Sequence, residues 1–210
     1  ILKPGGSYMI SDPLRNPSEV FGMALSPVGS FMDKLKIYKL TKHLQKKEIN
    51  DIFNTPNIST IQFLRDYGFS DKIIDNFFKP FFRGIFLEDK LETSARMFQF
   101  VFKMFGEGFA AVPENGMQAI PEYLKSKLEH TDLRLNTPVT KIEGHQVFLK
   151  NGEILQADKI IITGKPDELL PQLKGQIQPY HSVYNLYFSL EKSFLVRPMI
   201  GLVPDDKFLI

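Results

Sequence analysis

The 210-residue chain contains no cysteine and no tryptophan, and its formal net charge is only +2. Without cysteine there is no disulfide framework, no thiolate zinc site and no cysteine nucleophile, and the composition suits a reducing compartment, so a cytoplasmic location is expected. A charge balance this close to neutral gives no basis for nucleic-acid binding. No apolar run approaches the roughly 20 residues that a membrane-spanning helix requires, and no charged-then-apolar leader opens the sequence, so a soluble protein is the default. The four histidines, His43, His130, His145 and His181, are scattered without a second ligand at metal-site spacing, and no metal is expected. Gly29-Ser30 and Gly6-Ser7 lack the pattern of a nucleophile elbow, which removes support for a hydrolase. A phosphate-cradling loop is missing too. Gly5-Gly6 precedes a strand-like segment, and Gly106-Glu107-Gly108 follows a helix where it should open one.

What is present is a chain able to bury a substantial core, as one large or two small lobes, with 43% hydrophobic and 24% charged residues. Nineteen phenylalanines require a core, a partner or an apolar substrate. The chain opens at Ile1, not at a methionine, and stops in the apolar run Lys207-Phe208-Leu209-Ile210, which reads as an internal segment of a longer protein.

The stretch from Pro113 to Pro166 has the most continuous local signals. Pro113-Glu114-Asn115-Gly116 is a turn, after which Met117, Ile120, Leu124 and Leu128 share one face of an amphipathic helix with Pro121 early in it. Leu133 and Leu135 alternate with Asp132, Arg134 and Asn136 as a strand, and Val139 with Ile142 opens a second. His145 sits at a turn. Val147 and Leu149 face one way, Asn151-Gly152 supplies the positive φ angles of a hairpin turn, and Ile154 to Ala157 returns antiparallel. Ile160-Ile161-Ile162 is an unbroken β-branched run, the pattern of a strand buried on both faces in a parallel, helix-covered sheet.

Around this stretch the pattern is mostly helical. Leu2 to Ile10 reads as a hairpin around Gly5-Gly6, and Asn16-Pro17-Ser18-Glu19 starts a helix reaching about Leu25. Ser26-Pro27 starts another, with Val28, Phe31, Met32 and Leu35 as its apolar face. Lys34, Lys36, Lys39, Lys42, His43, Lys46 and Lys47 follow; a solvated helix surface is the favoured reading, and an anionic membrane surface the alternative. Ser59 to Gly68 is a capped helix closed by glycine, and Ser70 begins the next, burying Ile73, Ile74, Phe77 and Phe78 until Pro80 ends it. Phe81 to Phe86 reads as core beneath a loop, or as the lining of an apolar tunnel with Arg83 at its polar end. The helix after Thr93 carries Met97, Phe98, Val101, Phe102, Met104 and Phe105 on more than one face, so it is buried or borders a cavity. Asp167 to Leu173 is one short helix, Tyr180 to Leu190 alternates as a strand, and Met199 to Val203 and Phe208 to Ile210 are further strands.

The ordered series Glu114-Asn115-Gly116-Met117 with Ile120-Pro121, Leu133 to Val139 with Ile142, Asn151-Gly152-Glu153, Ala157 to Ile161 and Pro166 resembles the middle of the flavin-containing amine oxidase and phytoene-desaturase-like superfamily. Asp12-Pro13-Leu14-Arg15, Pro80 to Phe86 leading into Thr93-Ser94, and Asn185-Leu186-Tyr187-Phe188 are similar to it as well.

The resemblance implies an α+β chain in which a helical and β substrate-binding lobe, residues 1–112 and 167–210, is interrupted by a partial α/β FAD-domain segment, residues 113–166. It implies FAD as cofactor, with the backbone of Val139 meeting its adenine end and Thr163 near it; read from the residues alone, Val139 is simply an inward strand residue. The family's glycine-rich pyrophosphate turn and its second flavin motif have no counterpart in these residues. The substrate pocket would draw on Phe82, Arg83, Phe86, Phe98, Phe102, Asn185 and Tyr187 and would take a small, apolar molecule. No catalytic acid or base is assignable, and the lysine that many amine oxidases place near Asn185-Leu186-Tyr187 is not evident, which favours a desaturase-like oxidoreductase. Such a segment by itself is expected to be inactive. The alternative is a non-enzymatic helical module that binds a membrane surface or a hydrophobic partner, so peripheral membrane contact stays open.

Overall fold

The computed structural model describes residues 1–3, 6–8, 26–176, 180–192 and 200–204. It mixes helix and sheet and divides into two compact units, Ile1–Ala110 with His181–Ile210, and Ala111–Tyr180. The expected helix from Asn16 to Leu25, the segment Asp12 to Arg15, and the strand at Phe208 to Ile210 lie outside the described residues.

The first unit opens with β1, Leu2–Lys3, paired antiparallel to β2, Gly6–Ser7, as the glycine pair predicts. The Leu2 N–H also donates to the Leu202 carbonyl at 2.8 Å, which seats the 200–204 segment beside this hairpin. Helix α1 spans Phe31–Gln45. It starts later than Ser26-Pro27 suggests because Ser30 and Asp33 form a reciprocal capping box. Its buried face is therefore Asp33, Leu40 and Leu44, while Phe31 is 63% and Met32 59% exposed; of the expected apolar face, Val28 alone is buried, ahead of the helix. Helices α2, Ile49–Phe53, and α3, Thr60–Asp66, follow. The Ser59 hydroxyl caps α3 and Gly68, at φ +85°, ends the turn beyond it, as read from the sequence.

Pro80 does not end the next helix. A short α4, Asp71–Ile73, widens into a π-helical turn over Ile74–Phe78 and continues as α5, Lys79–Phe86. Proline cannot donate to the carbonyl four residues back and its ring crowds that carbonyl; the wider turn accommodates both effects, with Pro80 in the first turn of α5. Phe81 to Phe86 is accordingly helical. Helix α6, Ala95–Glu107, closes the unit and packs against α1, α2 and α3. Between these helices lie the fully buried Leu40, Leu44, Ile52, Leu64, Phe78, Phe82 and Phe98. Each such side chain stabilises the fold by about 1.5–3 kcal/mol relative to an exposed position.

The second unit contains helix α7, Ala119–Lys125, and an antiparallel sheet in the order β3, Val139–Glu143, β4, Gln146–Leu149, and β5, Ile154–Gln156. The expected hairpin is present with a different turn. Gly152 N–H donates to Leu149 carbonyl at 3.0 Å and Leu149 N–H to Glu153 carbonyl at 2.9 Å, so Lys150, Asn151 and Gly152 form a three-residue loop in which only Gly152, at φ +90°, is left-handed. The core of this sheet is Ile142 and Leu149.

Four expected strands do not form, one of them at Met199 to Val203, whose described residues 200–203 adopt no strand. At Leu133 to Asn136 the chain turns, because Asn136 adopts φ +55° and Thr137 Oγ1 donates to the Leu135 carbonyl at 3.1 Å. Ile160-Ile161-Ile162 is outside the sheet, with Ile161 88% exposed, since no strand among the described residues lies beside it and a run apolar on both faces needs neighbours on both. The sheet is correspondingly antiparallel, not parallel. Tyr180 to Leu190 is exposed along its whole length and pairs with no described strand, so its alternation has no face to bury. Beyond Lys165 the single expected helix is two, α8 at Pro166–Leu169 and a 3-10 turn at Pro171–Leu173, because Pro171 interrupts the ladder.

Candidate functional site

Four of the candidate pocket residues gather in one aromatic cluster of the first unit. Phe82, in the middle of α5, has its ring centroid 4.8 Å from that of Phe98 on α6, and 5.2 Å from Phe86 one turn along its own helix. Phe98 stacks at 5.5 Å on Phe102. The separations suit favourable tilted and offset ring pairs. Phe82 and Phe98 are wholly buried, whereas Phe86 and Phe102 are half-buried at the margin of the cluster. Arg83, next to Phe82 on α5, is half-buried and its Nε lies 2.6 Å from Asp89 Oδ1. Asn185 and Tyr187 lie on the exposed 181–190 segment, Tyr187 at 91% exposure, and take no part in the ring cluster.

In the second unit Val139 begins β3, half-buried, opposite Leu149 of β4. β3 is an edge strand of the described sheet, and α8 packs against it. Thr163 is exposed three residues before α8. The segment carrying Thr163 thus leads into the helix that lies on the strand carrying Val139. Asp167, on α8, has its Oδ1 buried with no hydrogen-bond partner among the described residues. A carboxylate oxygen in that position accepts from a hydroxyl or amide and repels a phosphate.

Sequence reasoning missed the polar residues that α6 buries. Lys103 is 7% exposed, and its ammonium donates to the carbonyls of Leu44 at 3.0 Å and Gln45 at 3.1 Å and to Glu107 Oε1 at 2.5 Å. It closes the C-terminal end of α1, where the last carbonyls lack helical partners and the helix dipole favours a cation. Gln99, one turn earlier, is 5% exposed. The signal for both was available, since each interrupts an otherwise apolar helix at a spacing of four. Asp33 is a third buried polar group, 1% exposed. Burial pushes its carboxyl up, but hydrogen bonds from the Ser30 and Ser70 hydroxyls and main-chain N–H groups outweigh this and hold it at about 2.

A cleft of about 260 Å³ lies in the same unit between α1, α3, α6 and the loop from Thr55 to Ile58. Among the described residues no cluster of acids and histidines has metal-binding geometry, and no helix is long and apolar enough to cross a membrane.

The sequence model of the flavin containing amine oxidoreductases matches residues 2–205, nearly the whole chain. No curated protein and no solved structure matches it significantly.

Proposed function

The chain belongs to the flavin containing amine oxidoreductase family and is a segment of an FAD-dependent oxidoreductase; on that premise we propose that its phenylalanine-rich helical unit shapes an apolar substrate pocket and that its Ala111–Tyr180 unit contributes part of the flavin site. The observation that carries this reading is the family match across residues 2–205.

Within the proposal, residues 1–112 and 167–210 form the substrate lobe and 113–166 the flavin domain, except that the 167–180 stretch, with Asp167, goes with the flavin-domain unit. The Val139 backbone meets the adenine end of FAD from the open edge of β3, with Thr163 nearby. The open edge and the unpartnered Asp167 oxygen support a hydroxyl-bearing ligand there. The described residues do not fit the whole cofactor, because no glycine-rich turn opens a helix among them to hold a pyrophosphate. FAD, when bound, supplies the redox chemistry of such enzymes, and protein supplies position and shape. No proton transfer or hydride step is assigned to residues of this chain.

An apolar, desaturase-type substrate is favoured over an amine. The cluster of Phe82, Phe86, Phe98 and Phe102 supports this; Arg83, Asn185 and Tyr187, expected to line the same pocket, lie outside the ring cluster and add no support. We further propose that the segment alone is inactive and holds no FAD. The apolar face of α7, with Met117 at 62%, Ile120 at 45% and Leu124 at 60% exposure, supports this, because such area is costly in water and marks a surface meant for a partner. The test is to supply FAD to this segment and to the protein carrying its complete natural chain. Flavin retained only by the complete protein supports the reading; stoichiometric flavin on the segment alone contradicts the second part of it, and no flavin on either contradicts the first.

One observation favours peripheral membrane contact as well. On the solvent side of α1, Phe31, Leu35 and Tyr38 are exposed at helical spacing, with Lys39 and Lys42 beside them. An apolar stripe with basic flanks suits an anionic bilayer surface.

A further inference from the structure

The cleft of the helical unit has the construction of a ligand site and adjoins the aromatic cluster, because Phe63, which lines it, packs on Phe98 with ring centroids 5.6 Å apart. Its volume, about 260 Å³, lies just below the range of about 300–1,000 Å³ usual for drug-sized sites, which suits a ligand of few atoms. One wall is the face of α1 that carries Leu40 and His43, continued past the helix end by Lys47. The facing wall is Phe63 of α3 with Tyr67 just beyond, and Ile58 and Ala95 complete the apolar lining.

Gln99 also lines this cleft, one turn along α6 from Ala95. It is 5% exposed, and among the described residues its side-chain amide has no hydrogen-bond partner. Its polar atoms are not sealed in the core, since among the described residues the one buried side-chain polar atom without a partner is Asp167 Oδ1; they open on the cleft, whereas Lys103, one turn on, turns inward to three acceptors. The Gln99 amide faces a cavity that can admit something to bond it. The charge of the lining fixes the sign of that ligand. His43 and Lys47 are its basic groups, and no carboxylate lines it. Burial raises the Tyr67 phenol above its usual value, which keeps the hydroxyl protonated as a donor.

We propose that this cleft binds a small amphipathic anion, an organic carboxylate whose aromatic or aliphatic body lies against Leu40, Ile58 and Phe63 while its head is held by Lys47 and the Gln99 amide. The proposal is independent of the flavin reading, since it draws on no residue of the second unit. It describes binding only and involves no chemical step.

The probe is 4-phenylbutyrate, titrated into the protein carrying its complete chain and followed by calorimetry and by NMR of the Gln99 side-chain amide and the Ala95 methyl group. Both resonances should shift in a saturable way. The neutral 4-phenylbutan-1-ol, which keeps the body and loses the charge, should bind about tenfold more weakly, equivalent to about 1.4 kcal/mol. Lys47→Glu, a substitution outside the core, should cause a loss of similar size, and Gln99→Leu should weaken binding while leaving the fold intact by thermal unfolding. If Gln99→Leu does not fold, the Lys47→Glu variant and the neutral analogue still decide. Equal affinity for acid and alcohol, affinity unchanged in Lys47→Glu, or binding that leaves the Gln99 and Ala95 resonances unmoved would overturn the proposal, as would no binding at all.

Discussion

Asp33 and Ser70, 37 residues apart in sequence, are joined by two hydrogen bonds, the Ser70 main-chain N–H to Asp33 Oδ1 at 2.9 Å and its hydroxyl to Oδ2 at 2.7 Å. Asp33 also accepts from the Ser30 N–H at 2.8 Å and the Ser30 hydroxyl at 2.6 Å. One carboxylate therefore ties the capping residues of α1 and α4 together, and through them the first turns of two helices that build the core.

This arrangement makes the fold acid-sensitive in a defined window. The carboxyl is held at about 2 in the folded chain, against about 4 when unfolded. A depressed folded value contributes stability that is fully present above the unfolded value and is lost as pH falls through the folded one. The contribution is roughly 2 kcal/mol at neutral pH and declines between about pH 4 and 2. Asp33→Asn should lower stability by about 2 kcal/mol or more at pH 7 and remove that part of the pH dependence, measured by urea unfolding across the acid range. A variant with the wild-type acid profile would show that another group is responsible.

The Lys103 contact makes a second prediction. Lys103→Met keeps the length and apolar stem of the side chain but removes the ammonium, leaving the Gln45 carbonyl at the end of α1 without that donor and the Leu44 carbonyl with main-chain N–H groups alone. A cost of about 1–3 kcal/mol follows. Denaturant unfolding should show a lower midpoint with an unchanged slope, and Lys103→Arg, which retains a charged donor, should recover part of the loss. Full stability in Lys103→Met would mean that these carbonyls find water instead.

Local signals were the most legible part of the sequence. Ser59 as cap, Gly68 and Gly116 as positive-φ residues, and the β4–β5 hairpin follow from chemistry within a few residues of chain, so they could be read from one stretch at a time. Tertiary partners could not. The capping box of Ser30 and Asp33 was present in the sequence but competed with Ser26-Pro27 as a start signal, and only the closeness of Ser70 shows why Asp33 is buried. The π-helical turn before Pro80 lets the helix continue through a proline that reads as a stop, and no periodicity encodes it. Ile160-Ile161-Ile162 and Tyr180 to Leu190 carry strand patterns, but a strand needs a neighbour and none lies beside them among the described residues. In the candidate site, Phe82, Phe86, Phe98 and Phe102 were legible as an aromatic group from their density in two short stretches, although Phe81 to Phe86 read as core beneath a loop, while Gln99 and Lys103 carried a usable signal in their spacing of four along an apolar helix.

The exposed stripe of α1 predicts a salt-dependent association with anionic membranes. The protein should sediment with phosphatidylcholine vesicles containing phosphatidylserine, and less so as salt rises, since surface charge is screened over about 10 Å at 0.1 M salt. Charge reversal of Lys39 and Lys42, or Leu35→Asp on the stripe, should each abolish sedimentation without altering the fold, as these side chains lie outside the buried core. Sedimentation that persists in all of these variants would exclude α1 as the contact.

The central claim is that this chain is a segment of an FAD-dependent oxidoreductase, and the most direct test is the visible absorption spectrum of the protein purified with its complete natural chain. The account predicts the absorption bands of oxidised flavin at one FAD per protein, and their bleaching on chemical reduction. A homogeneous, folded protein that stays colourless even after FAD is supplied would contradict it.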